Sequence, residues 1–125
     1  MKTIDIVLPV YNEEEALPGF DRALHNVLAP LRHRYRFRSI YVLDRSQDKS
    51  FEVLKQLASE NPDMSVIHLS RRFGHQMSLV AGLDHSQGDA VLMMDCDCQH
   101  PPELIPAMLE KLDTATVATI RDFMP

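Results

Sequence analysis

The sequence predicts an α/β domain: a mostly parallel sheet with helices on both faces. Short β-branched runs alternate with amphipathic segments along the chain. The runs are apolar nearly throughout rather than at every second position, as strands covered on both faces require. Each run also ends in a polar cluster, and in parallel sheets ligands gather beyond the carboxyl ends of the strands. A length of 125 residues with 45% hydrophobic and 25% charged residues fits one core, so 1–125 reads as one domain.

The elements follow in order. "TIDIVLPV", 3–10, is a buried strand that breaks into the polar "YNEEE". From Pro18 to His33, Phe20, Leu24, Val27, Leu28 and Leu31 recur at threes and fours and predict a helix that weakens at Pro30. "SIYVLD", 39–44, is the second strand, and "RSQDKS" turns into a helix with Phe51, Leu54, Leu57 and Ala58 on one face. "MSVIHLS", 64–70, is the third strand, and "GHQMSLVAGLDHS" is a helix bounded by Gly88. "AVLMMD", 90–95, is the fourth strand, "PPELIPAMLEKL" a helix opened by proline, and "TATVATI" a fifth strand. Methionines 77, 93, 94 and 108 fall at core spacing and are expected to pack.

Charge narrows the partners. A formal net charge of -5 repels nucleic-acid phosphates, so no nucleic-acid partner is expected, and an anionic ligand needs a local basic site or a bound cation. The first residues meet acids before an apolar run long enough for a signal peptide, and no stretch nears the roughly 20 apolar residues of a membrane span. With only Cys96 and Cys98, a disulfide framework is not expected, which fits a cytoplasmic chain. An exposed sheet edge would favour a homo-oligomer. The run "RHRYRFR", 32–38, interleaves arginine with aromatics and suits anionic lipid headgroups, less readily RNA or, more simply than either, the end of a helix and an edge of the sheet.

"DCDCQH", 95–100, carries the densest chemistry. If the fourth strand stays extended through residue 99, Asp95, Asp97 and Gln99 share one face and Cys96, Cys98 and His100 the other. The oxygen set selects Mg²⁺ or Mn²⁺, with water and phosphates completing the shell. The sulfur set supplies at most three of the four ligands zinc needs, with His68, His75 or His85 as the remote fourth, so both cysteines read as packing residues. Spacing alone leaves Asp95 and Asp97 equally open to a plain reading as turn acids. His75 reads as a pocket or core histidine, and at least two of Glu13, Glu14 and Glu15 as solvated acids near a helix start.

Taken together, "VLPVYNEEEALP", "VLDRSQDKS", "LSRRFGHQMSLVAGLDHSQGDAVLMMDCDCQHPPELIPAML" and "TVATIR" resemble, in order and spacing, the family-2 glycosyltransferases of the Rossmann-like GT-A fold. The polyprenyl-phosphate sugar transferase branch, of the dolichyl-phosphate mannose synthase and bactoprenol glucosyltransferase type, is the most similar. The resemblance implies an inverting transfer of a sugar from a UDP- or GDP-linked donor to polyprenyl phosphate, with Mg²⁺ or Mn²⁺, at the inner face of the membrane in cell-envelope glycan synthesis. It also implies that this chain is the N-terminal, nucleotide-sugar-binding portion of such an enzyme, and that peripheral membrane contact belongs to the intact protein.

By position, the resemblance assigns Pro9, Tyr11 and Glu13 to the loop holding base and ribose, and Asp44 to the second acid of a D-D-G-S segment. Arg71 and "FGHQ" line the donor pocket, and Arg121 matches a basic residue of the last strand. Asp95, Asp97 and Gln99 match a D-x-D-x-Q metal and diphosphate segment, which makes Asp95 and Asp97 the catalytic candidates and Asp95 a nucleotide contact as well. Four positions depart from the pattern: Leu43 for a base-contacting acid, Arg45 for glycine, Arg72 for asparagine and His100 for an acid. Leu43, Arg45 and the short length support a second reading, a non-catalytic nucleotide-binding or assembly module. A zinc-stabilised module is a third.

Overall fold

A computed structural model of the protein describes residues 2–71, 74–95, 102–111 and 117–119. The expectations for Arg72, Phe73, Cys96, Asp97, Cys98, Gln99, His100 and Arg121 lie outside the described residues, as does that for the His75 side chain.

Among the described residues, five strands form one parallel sheet: Lys2–Val10 (β1), Tyr35–Leu43 (β2), Met64–His68 (β3), Ala90–Met93 (β4) and Val117–Thr119 (β5). Their order is β3-β2-β1-β4-β5. Helices Leu17–Leu28 (α1), Ser50–Ser59 (α2), His75–His85 (α3) and Ile105–Lys111 (α4) link them. At Pro30 the first helix tightens into a 3₁₀ turn, Ala29–Leu31, because proline cannot donate the N–H that would continue the α-helix.

The period of two along β1 divides the core. Ile4, Ile6, Leu8 and Val10 meet Leu17, Phe20 and Leu24 of α1, Leu54 of α2, and Ile105 and Met108 of α4. On the other face Val7 joins Ile40, Val42 and Val91 beneath Leu79 and Ala81 of α3. Helices on both faces are what the apolar strands predicted.

α3 corrects one expectation. Its sheet-facing side carries Ser78 and Gly82, and a Cβ at Gly82 would overlap Val7 Cγ1, so this helix lies tight on β1 through its small residues. Leu79 still reaches the core, but three other bulky residues face outward. Met77, expected to pack, is 49% exposed and shares its side of α3 with exposed Val80 and Leu83. Met94 and Met108 are buried as expected, and Met93 packs against the smaller core.

Element boundaries also shift. β2 starts at Tyr35, four residues before the predicted strand, because Tyr35 and Phe37 turn to the large core while Arg36 and Arg38 turn away. Pairing of β2 with β3 begins only at Ser39↔Met64, so among the described residues 35–38 have β1 alone as a neighbouring strand. This stretch is locally the edge to which the basic run was expected to lead. Its arginines are engaged within the fold: Arg32 with His25 at 3.2 Å, Arg34 over the Tyr35 ring, Arg36 with Asp63 at 3.8 Å and Arg38 with Asp5 at 2.7 Å.

Asp5 fastens the amino-terminal half of the sheet. This fully buried carboxylate accepts from Arg38 Nε and Nη2 at 2.7 and 2.9 Å, Ser86 Oγ at 3.0 Å, and the backbone N–H groups of Gln87 and Gly88 at 2.8 Å. Burial pushes its pKa up, but these donors outweigh burial and hold the carboxyl below the usual range. The opposite end carries the longer loops.

Candidate active site

β1 is followed in space by β2 and β3 on one side and by β4 and β5 on the other. The chain changes direction across the sheet at β1, and in parallel sheets the ligand crevice falls at such a switch, here beyond the carboxyl ends of β1 and β4. Pro9 helps to open it. Thr3 and Val7 turn their carbonyls toward the β4 side, where they accept from Asp89 and Met94 at 2.7 and 3.1 Å. By the same alternation Pro9 faces that side, and proline has no N–H with which to extend the ladder. The β1–β4 register ends at Val7↔Met93.

β4 itself ends at Met93, two residues before the predicted limit, so Asp95 stands on the segment leaving the sheet rather than within it. The expected strand geometry therefore does not reach Asp95; its companions Asp97 and Gln99 lie outside the described residues. Asp95 is half-buried at the crevice mouth.

The structure brings the other sequence candidates to the same end. Tyr11, 36% exposed, follows β1 directly, with half-buried Glu13 two residues on. Asp44 follows β2 and is 3% exposed, and Arg71 lies exposed three residues beyond β3. Asp44 accepts the backbone N–H of Arg45 at 2.8 Å through Oδ1 and that of Gly74 at 3.0 Å through Oδ2. Gly74 has φ 91°, a conformation that glycine adopts without the Cβ clash, and it caps the start of α3. Asp44 thus joins the end of β2 to the segment that carries Arg71.

Four further residues, absent from the sequence candidates, tie the first two loops together. Asn12, at φ 52°, donates its N–H to Ser46 Oγ at 2.9 Å, and its Oδ1 accepts from Gln47 N at 2.8 Å. Glu13 N donates to Ser50 Oγ at 2.9 Å and Glu14 N to Asp48 Oδ2 at 3.1 Å. Asp48 Oδ1 also accepts from Ser50 N at 3.0 Å and Ser50 Oγ at 2.6 Å. Desolvation raises the Asp48 pKa, yet these bonds prevail and hold it below the ordinary value. Ser and Asp just before a helix, and Asn where φ turns positive, are the sequence signals that mark such residues.

The two departures at the end of β2 differ in consequence. Leu43 is 1% exposed within the large core, so it offers the crevice nothing. Arg45 is exposed beside Asp44 and adds a cation to the mouth. Of the candidate fourth zinc ligands, His68 stacks on Phe51 at 4.4 Å, and His85 Nδ1 lies 2.9 Å from the Ala81 carbonyl. Among the described residues, no three His, Cys, Asp or Glu side chains come close enough to hold a metal.

The description "Glycosyl transferase family 2" matches residues 5–123, nearly the whole chain and every strand of this sheet. The chain belongs to glycosyl transferase family 2. Among its relatives in this family, an uncharacterized glycosyltransferase, YkcC, of Bacillus subtilis (strain 168) is 41% identical over 106 residues, covering 85% of this chain and 32% of the relative. A bactoprenol glucosyl transferase of Shigella phage SfV is 38% identical over 110 residues, covering 86% of this chain and 34% of the relative. The chain thus spans about a third of the length of these relatives. The mannosyltransferase PcManGT from Pyrobaculum calidifontis, solved in complex with GDP-Man and Mn²⁺, superposes with a TM-score of 0.75 at 22% identity, over 91% of this chain and 33% of that one. The GT-A fold expected of a family-2 glycosyltransferase is the fold observed.

Proposed function

We propose that this domain is the donor-binding part of an inverting glycosyltransferase, taking a UDP- or GDP-linked sugar for transfer to polyprenyl phosphate. The observation that supports the reading is that Tyr11, Glu13, Asp44, Arg71 and Asp95 all follow the carboxyl ends of strands in a family-2 chain whose sheet switches direction at β1. Tyr11 and Glu13 lie on the β1–β2 side and would receive base and ribose. Asp95 lies on the β4 side, with the diphosphate.

The donor chemistry fits a hard divalent ion. Asp95 offers carboxylate oxygen at the mouth, and Asp97 and Gln99 follow in sequence, a set that suits Mg²⁺ or Mn²⁺ with phosphate oxygens and water filling the shell. When bound, the ion would offset negative charge that builds on the leaving diphosphate. Arg71 would bring a cation to the same charge. A phosphate acceptor is already ionised, so the reading requires no strong general base in this chain. Support for a polyprenyl acceptor comes from the bactoprenol transferase relative and the branch-specific motifs. In the intact protein, transfer at the cytoplasmic face of a membrane, with peripheral contact there, follows from that acceptor; among the described residues, no helix is long and apolar enough to cross one.

A second reading, a nucleotide-binding module without turnover, draws on the burial of Leu43 and the added bulk of Arg45 at the end of β2. Calorimetric titration of UDP and GDP, with and without Mn²⁺, tests the donor site in wild type and Asp97→Ala. Mn²⁺-dependent binding lost in Asp97→Ala is the expected result, and absence of nucleotide binding in wild type contradicts the proposal. Hydrolysis or transfer of a bound nucleotide-sugar by the same preparation would then favour the enzyme over the silent module.

A further inference from the structure

We infer that Asn12, Ser46, Asp48 and Ser50 are positioning residues that preset the first loop for the nucleotide; the inference rests on the donor-site reading above. Three consecutive backbone N–H groups, those of Asn12, Glu13 and Glu14, are taken up by Ser46 Oγ, Ser50 Oγ and Asp48 Oδ2 of the second loop. Asn12 returns the bond by accepting from Gln47 N. The partners are 34 to 37 residues apart in sequence, so the contact joins two separate loops rather than one local turn.

Consecutive N–H groups on a turn would ordinarily make a cradle for a phosphate. Here all three are already given to protein oxygens, so the first loop does not hold the diphosphate through its backbone. This suits the proposed donor site, in which the loop meets the uncharged base and ribose and the diphosphate lies on the Asp95 side. The clasp also fixes the backbone on either side of the two side chains that matter, Tyr11 before Asn12 and Glu13 within it. Its anchor does not move easily: Ser50 is fully buried at the first residue of α2, and its hydroxyl donates to Asp48 at 2.6 Å. A loop held in its bound shape loses less entropy when the ligand arrives.

Ser46 gives the cleanest test, because it is only half-buried and its hydroxyl is the acceptor for Asn12 N. Amide hydrogen exchange in the free protein and calorimetry with UDP and GDP in Mn²⁺ are measured for wild type, Ser46→Ala, Ser46→Thr and Asp48→Ala. Exchange at Asn12, Glu13 and Glu14 is expected to quicken about tenfold in the alanine variants, the scale of one lost hydrogen bond, while β1 core amides keep their rates. Nucleotide affinity falls by a comparable factor and returns in Ser46→Thr, which keeps the hydroxyl. Unchanged exchange at the three amides overturns the clasp. Faster exchange with unaltered affinity overturns its role in binding. A wild type that binds neither nucleotide overturns the donor-site reading itself, an outcome seen before any variant is compared.

Discussion

The carboxylate of Asp44 reaches across 30 residues of chain to hold the backbone N–H of Gly74 at 3.0 Å. Its other oxygen holds Arg45 N at 2.8 Å, so one buried acid sets the end of β2 and the start of α3 together. Hydrogen bonds to a charged acceptor contribute about 1.5–3 kcal/mol each. Asp44→Ala removes both and should therefore lower unfolding stability in urea by roughly 3–6 kcal/mol and speed amide exchange at Gly74. Wild-type stability with a protected Gly74 amide would contradict this.

Gly74 offers an independent check. Its φ of 91° places a Cβ in a strained conformation although no atom lies within 4 Å of it. Gly74→Ala should cost roughly 1–2 kcal/mol through backbone strain alone, read as a drop in melting temperature. Gly82→Ala acts by another route, because its Cβ would overlap Val7 Cγ1 and push α3 off the sheet. Overpacking of that kind costs roughly 1–3 kcal/mol. Equal melting temperatures for wild type and either variant would contradict the geometry described.

Leu43 gives a prediction that runs against its family pattern. Restoring the acid by Leu43→Asp would bury a carboxylate at a site that is 1% exposed and lined by the core, where an unpaired polar group costs roughly 2–7 kcal/mol. The variant should lose stability in urea and gain no nucleotide affinity. Arg45→Gly, at an exposed site, should leave stability within roughly 1 kcal/mol of wild type.

Asp5 sets an acid limit on the fold. Its folded-state pKa lies below the unfolded value: burial opposes ionisation, but Arg38, Gln87, Gly88 and Ser86 favour it more strongly. The sign follows: its contribution is fully present above the unfolded carboxyl pKa, and is lost as pH falls through the lowered folded value. Stability measured from pH 6 down to pH 2 should fall less steeply in Asp5→Asn than in wild type. A parallel decline in both would contradict the role given to this carboxylate.

The alternating apolar runs were enough to read the layers of this fold, because strands covered on both faces leave no polar period to mislead. The lower half of β2 escaped, since Arg36 and Arg38 alternate with Tyr35 and Phe37 where only β1 stands alongside. Met77 was misread because helical spacing does not say which face lies inward; on α3 the small residues do, with Gly82 against Val7. At the site, the acids and Tyr11 stood out at strand ends, where parallel sheets place ligands. The clasp of Asn12, Ser46, Asp48 and Ser50 did not, because only the parallel pairing of β1 with β2 carries the two loops side by side.

On the donor-site proposal, nucleotide and metal meet beyond the carboxyl ends of β1 and β4. Mn²⁺ broadens nearby amide signals, so the test is an NMR spectrum of the protein with UDP or GDP, recorded before and after Mn²⁺ is added. Broadening is expected at Asp95 and Met94 first, then at Tyr11, Arg45 and Gly74, with Lys2, Arg34, Gln87 and Gly88 at the far end left sharp. Broadening centred on the Asp5 end of the sheet, or none that depends on the nucleotide, would contradict it.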